Sequence, residues 1–144
     1  MVTYNAEDIK IPVFPKRKIS FWIKQVAGKY GKRVGEIAYI FCSDKRMLKI
    51  NKDYLQHDYY TDIITFDYSE NGIVSGDIFI SVDTVRTNAE RYAVAYRNEL
   101  YRVIIHGVLH LCGIDDKAPG ARTVMERNEN EALEMLTEIL RAEP

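Results

Sequence analysis

His106-Gly107-Val108-Leu109-His110-Leu111-Cys112-Gly113-Ile114-Asp115-Asp116 is the stretch on which the reading of this chain turns. Two of the three histidines in the sequence stand four residues apart here, in an apolar run with helical spacing. At about 100° per residue, four positions make a little over one turn, so both imidazoles leave the helix on one face. Gly113 offers the left-handed residue that ends a helix, and two carboxylates follow at once. Two imidazoles on a helix and a third ligand from the next turn form the donor set of a catalytic zinc site with one open position. A buried helix otherwise has little use for paired histidines, whose nitrogens need partners. The stretch predicts a metal-dependent hydrolase.

The spacing narrows the third ligand. The metzincin protease motif H-E-x-x-H-x-x-G-x-x-H puts its glycine seven and its last ligand ten residues after the first histidine. Gly113 and Asp116 hold those offsets. The general-base glutamate of that motif falls on Gly107, so the helix is metzincin-like while the peptidase base is missing.

Around this stretch, 144 residues fit one domain with a substantial core, and 47% hydrophobic with 28% charged residues is an ordinary globular composition. No apolar run approaches the roughly 18 residues of a membrane span. Met1-Val2-Thr3-Tyr4-Asn5 lacks the charged and apolar regions of a signal peptide. Cys42 and Cys112 are isolated, which favours reduced thiols in a cytoplasm over a disulfide framework. The net charge of −1 hides an asymmetry. Lys10 to Lys52 holds twelve Lys and Arg against two acids, whereas Asp53 to Pro144 holds eight against seventeen. Such polarity points to a polyanionic partner, with solvated helix faces as the alternative.

Taken in order, Val2 to Asn5 is expected as a short edge strand. A helix over Lys18 to Tyr30 turns Ile19, Trp22, Ile23, Val26 and Tyr30 inward. Glu36 to Cys42 reads as a buried strand, and Ser43 or Asp44 caps a second helix with Met47, Leu48 and Ile50. Ile63 to Tyr68 and Gly76 to Ser81 form an antiparallel pair joined through Asn71-Gly72 by a loop longer than a two-residue hairpin. Val82, Val85, Ala89 and Ala93 mark a third helix. The fourth, about Asn98 to Cys112, is apolar nearly all round (Leu100, Val103, Ile104, Val108, Leu111) and should be buried. The last, about Gly120 to Arg141, turns Val124, Leu133, Leu136 and Leu140 inward. Met125 reads as core packing, and Glu126 and Glu129 as a solvated face with contact to the metal ligands possible. The fold class is α+β: one domain, a mixed four-stranded sheet and about five helices, one of them the metal helix.

These residues resemble the YbeY endoribonuclease family, whose signature is H-G-x-L-H-L-x-G-Y-D-H; here it reads H-G-V-L-H-L-C-G-I-D-D. The family's T-D-V-L-S-F strand has its counterpart in Thr61 to Phe66, its G-D-I-x-I strand in Gly76 to Ile80, and its L-N-x-x-Y segment in Ile50 to Tyr54. The resemblance covers essentially residues 1–144 as one metallohydrolase domain. It implies a cytoplasmic, zinc-dependent, single-strand-specific endoribonuclease with one Zn²⁺ per chain. It also implies a role in maturing ribosomal RNA, notably the small-subunit 3′ end, and in ribosome quality control. The implied partners are ribosomal RNA and the small ribosomal subunit, without a membrane. Carried over by position, the metal ligands are His106, His110 and Asp116. Asp115 aligns with the signature's own aspartate and is expected to play a supporting role.

Two departures stand out. Asp116 replaces the third histidine; its oxygen remains an acceptable ligand, but its charge makes a weaker Lewis acid and brings Mn²⁺ and Fe²⁺ closer to contention. Leu55 stands where the family carries an arginine that serves the RNA. His57, and Arg102 one turn before His106, are candidates to take its place, a surface salt bridge being the competing reading of Arg102. Lys16, Arg17, Lys18, Lys32, Arg33, Lys45, Arg46 and Lys49 are nominated to position the RNA. The chief alternative is a ribosome-assembly binding protein with a non-catalytic metal; a metallopeptidase and a non-haem iron oxygenase rank lower. Cys112, about 200° round the helix from His110, is not expected to be a ligand.

Overall fold

The computed structural model describes residues 1–55 and 61–142. His57 lies outside them. The element order is β1 (Val2–Ala6), α1 (Lys16–Lys29), β2 (Arg33–Cys42), α2 (Asp44–Leu55), β3 (Ile63–Asp67), β4 (Ile73–Ser81), α3 (Val82–Arg91), α4 (Tyr96–Leu111) and α5 (Ala121–Arg141). The strands form one mixed sheet in the order β1-β2-β4-β3. β1 and β4 run parallel to β2, and β3 pairs antiparallel with β4. The α+β fold read from the sequence, with five helices and β1 at an edge, is the fold observed.

Alternation along the strands separates two cores. Ile37, Tyr39 and Phe41 of β2, and Val74, Ile78 and Ile80 of β4, join Trp22 of α1, Ile104 and Val108 of α4, and Leu136 of α5 in the larger one. Ile64 of β3 meets Cys42, Met47 and Ile50 in the smaller, covered by α2 with Phe66 and Phe79 packed alongside. Two buried side chains bind the large core's layers together. The Tyr39 hydroxyl donates to the Ile104 carbonyl at 2.9 Å, and the Trp22 indole to the Ala132 carbonyl at 2.7 Å. Each leaves no buried polar atom wasted and is worth on the order of 1 kcal/mol.

Several expectations are corrected. Glu70 and Ile73 pair backbone to backbone across Asn71-Gly72, so a two-residue turn does close the hairpin tip; β4 begins three residues earlier than expected. Ala93 does not extend α3. It is exposed, with φ 55°, and its N–H and that of Val94 bond back to Glu90 and Ala89 to terminate the helix. Val124 and Leu140, expected inward on α5, are 39% and 36% exposed. The inward stripe is instead Met125, Glu129, Ala132 and Leu136, which recurs at helical spacing.

α4 is buried on every side but one. Gly107 lies against the sheet, where an added Cβ would stand 3.0 and 3.1 Å from Ile78 side-chain carbons and 3.2 Å from Ile63 Cδ1. The glycine after the first histidine is therefore what lets the helix approach β3 and β4. No glutamate fits at that position.

Candidate metal centre

The exposed side of α4 carries His106 and His110, whose rings sit edge to face with centroids 4.5 Å apart. The helix ends in a Schellman motif: Gly113 N–H donates to the His110 carbonyl at 2.9 Å, and Ile114 N–H to the Leu109 carbonyl at 3.0 Å. Gly113 takes φ 97°, which an L-residue resists, and the chain turns back over the histidines. Asp115 holds the next bend through its carboxylate, which accepts from Lys117 N–H at 3.0 Å and Ala118 N–H at 3.3 Å. Its pKa is lowered, chiefly by the Lys117 N–H.

Asp116 consequently points at the histidines. Its Oδ2 lies 3.3 Å from His106 Nε2 and 3.4 Å from His110 Nε2. A tetrahedral ion with ligand bonds of about 2.0–2.1 Å keeps neighbouring ligand atoms about 3.3–3.4 Å apart. The two separations from Asp116 match that spacing and all three ligand atoms lie within 4.8 Å of one another, so the groups can hold one small divalent ion; among the described residues they form the one His/Cys/Asp/Glu cluster of this kind. Cys112 and Asp115 are outside it. Three protein donors leave a fourth position, as a catalytic rather than a structural zinc site requires.

Behind the triad stands Glu129. It is 8% exposed, and its Oε2 lies 2.6 Å from His106 Nδ1 while its Oε1 accepts from Arg102 Nη1 at 2.8 Å. Arg102 Nη2 donates to Asn130 Oδ1 at 2.8 Å. Of the two readings of Arg102, the salt bridge is therefore the one seen, and Glu129 is no solvated surface residue. Its signal was present in the sequence as a glutamate in step with the Met125, Ala132 and Leu136 stripe. Burial raises the Glu129 pKa, but the His106 and Arg102 hydrogen bonds outweigh it and the net shift is downward. Burial likewise pulls His106 down, and Glu129 with Asp116 and Asp62 reverses this to hold it above its ordinary value. Burial and the neighbouring His106 lower His110.

The triad opens on a cleft of about 1280 Å³, whose walls include Asp62, Glu99, Lys117, Arg122 and Leu55. Burial raises the carboxyl pKa of both Asp62 and Glu99. Among the described residues, none of the eight nominated basic side chains lines the cleft, and the Lys and Arg that do are Arg102, Lys117 and Arg122. Lys49 pairs with Asp53, and Arg46 with Glu7.

A three-donor site between a buried helix and its following turn, opening on a long cleft of an α+β domain, defines a candidate single-ion metallohydrolase. The chain belongs to the YbeY family: the family model described as "Endoribonuclease YbeY" matches residues 2–137. Proteins named Endoribonuclease YbeY are similar to it in Bacteroides thetaiotaomicron (63% identity, 93% of this chain and 98% of the relative) and Parabacteroides distasonis (61%, 95% and 96%). One in Porphyromonas gingivalis is 49% identical over 99% of this chain and 94% of its own length. The solution structure of the Thermotoga maritima protein TM1509 superposes with a TM-score of 0.63 over 100% of this chain and 98% of that one, at 20% identity, and shares the fold.

Proposed function

We propose that this chain is a metal-dependent endoribonuclease that cuts single-stranded RNA during ribosomal RNA maturation, with His106, His110 and Asp116 holding one zinc ion. The observation that carries the proposal is the convergence of Asp116 Oδ2 on both Nε2 atoms in a chain of this family. When bound, a divalent ion supplies Lewis-acid polarisation of a phosphoryl oxygen and activation of water. The chain's own residues do the rest. Asp116 adds a negative charge that partly neutralises the ion, and Glu129 holds the His106 ring in place. Lys117 and Arg122 stand on the cleft wall, where they contact phosphates flanking the cut. Asp62, whose carboxyl pKa burial raises, holds a proton more readily than a surface aspartate and is placed to exchange it within the cleft. Ribosome quality control and association with the small subunit belong to the same proposal and rest on the family resemblance.

The test is zinc content together with chelator-sensitive cleavage of single-stranded RNA, in wild type and His110→Ala. Wild type should carry about one zinc per chain and lose activity to a chelator, and His110→Ala should lose both. Cleavage that survives complete metal removal would end the proposal.

A further inference from the structure

We infer that Glu129, clamped by Arg102, is the positioning carboxylate that fixes the His106 imidazole in its Nδ1–H tautomer and so leaves the Nε2 lone pair facing the point on which Asp116 Oδ2 and His110 Nε2 converge. The inference rests on the metal-site reading proposed above, and it concerns a carboxylate 23 positions downstream of the histidine, on a different helix.

An imidazole has two nitrogens and, when neutral, one proton; whichever nitrogen donates a hydrogen bond leaves the other free as an acceptor or ligand. Both ring nitrogens face a carboxylate, but Nδ1 lies 2.6 Å from Glu129 Oε2 and Nε2 3.3 Å from Asp116 Oδ2, so the shorter contact takes the single proton of the neutral ring on Nδ1. Nε2 is then the free nitrogen, and it is the atom turned to Asp116 Oδ2 at 3.3 Å. The carboxylate itself cannot rotate away, because its other oxygen is held by Arg102 Nη1 at 2.8 Å and that guanidinium is held in turn by Asn130.

The arrangement exceeds what joining α4 to α5 would need. Met125, Ala132 and Leu136 already pack α5 into the core, and the Trp22 indole fixes its backbone at Ala132. The Arg102–Glu129 pair alone would complete a salt bridge between the helices. Using the second oxygen to face an imidazole at 2.6 Å adds orientation of that ring. The two histidines differ in this respect. Among the described residues, Asp116 is the one carboxylate within ion-pairing distance of His110, whereas His106 has Asp116 in front and Glu129 behind.

Two readouts test it. In metal-free protein, ¹⁵N imidazole NMR should find neutral His106 as the Nδ1–H tautomer in wild type and largely as Nε2–H in Glu129→Ala. Glu129→Gln, whose amide oxygen still accepts from Nδ1–H, should keep the wild-type tautomer. Zn²⁺ affinity, measured by competition with a chromophoric chelator, should fall about 10–100-fold in Glu129→Ala and less in Glu129→Gln. Far-UV circular dichroism and melting of the metal-free variants report whether the fold is kept; if Glu129→Ala does not fold, Glu129→Leu with the same two readouts replaces it, and the Arg102→Met, Glu129→Leu double variant removes the buried charge altogether. An unchanged tautomer in a folded variant lacking the carboxylate overturns the inference. So does zinc affinity within twofold of wild type. Should wild type fail to bind zinc, the metal reading falls, and the tautomer experiment still decides the role of Glu129.

Discussion

A carboxylate at position 116 changes both the charge and the hardness of the donor set. Asp116→Ala removes the atom shared by the two imidazoles, and a protein loaded with zinc and then desalted should lose its stoichiometric metal. Asp116→His should retain it, since imidazole suits zinc equally well. Equal metal content in Asp116→Ala and wild type would sink the assignment. The pH dependence of binding follows from the shifts at the site. The His106 pKa is raised and that of His110 lowered from the ordinary 6.5, so as pH falls the ion must displace a proton from His106 before His110. Titration calorimetry in buffers of differing ionisation enthalpy should therefore show proton release that grows as the pH is lowered, with affinity falling in step. In the metal-free protein the sign differs by residue. The raised His106 pKa stabilises the fold below 6.5 and this is lost as pH rises through the folded value. The lowered Glu129 pKa stabilises above 4.5 and this is lost as pH falls through its folded value. At this scale the sequence was legible where geometry is local: the four-residue step of the histidines and the turn at Gly113 both follow from helix periodicity. The partner of His106 was legible only in part: Glu129 was one of two glutamates named for contact with the ligands, and it reaches His106 across a helix pair that only the tertiary fold brings together.

Helix ends and helix contacts decide how the triad is held. Ala93 closes α3 in the left-handed region at φ 55°, where a side chain costs about 1–2 kcal/mol. Ala93→Gly removes that cost and adds back about 0.4–1 kcal/mol of unfolded-state freedom. It should raise unfolding stability by roughly 0.5–1 kcal/mol, read from the urea midpoint at unchanged slope. A midpoint below wild type would mean that the backbone is not strained there. Gly107 presents the opposite case. Valine would drive branched methyls into Ile78 and Ile63, already at contact distance from a single added carbon, and should destabilise by about 1–3 kcal/mol. The element pattern itself was well marked in the sequence. What failed were ends and faces: Ala93 shares the apolar period of α3 but lies past its last turn. Val124 and Leu140 fit a coarse amphipathic stripe that the true axis of α5 rotates into water. Period fixes a face to within a residue or so; packing chooses among neighbours.

Across the whole molecule, the positive charge of the basic first third is partly met by ion pairs on the protein's own surface. Lys29 of α1 pairs with Glu131 of α5 at 2.6 Å and Arg46 of α2 with Glu7 at 2.8 Å. Such pairings depend on topology, which is why a count along the sequence overstated the charge left for a polyanion. The cleft offers Lys117 and Arg122, both exposed, while Arg102 is committed to Glu129. These two are the cations that the proposed function places on RNA phosphates. For a single strand, each phosphate contact contributes about −0.7 to the slope of log affinity against log salt. The Lys117→Ala, Arg122→Ala double variant should therefore flatten that slope by about 1.4, measured by anisotropy titrations of a labelled single-stranded RNA at several salt concentrations. The Lys16→Ala, Lys18→Ala pair, on the N-terminal turn of α1 and away from the cleft walls, should leave the slope within error of wild type. The reverse outcome, with the α1 pair flattening the slope and the cleft pair not, would place the RNA on the basic first third and detach its path from the metal centre.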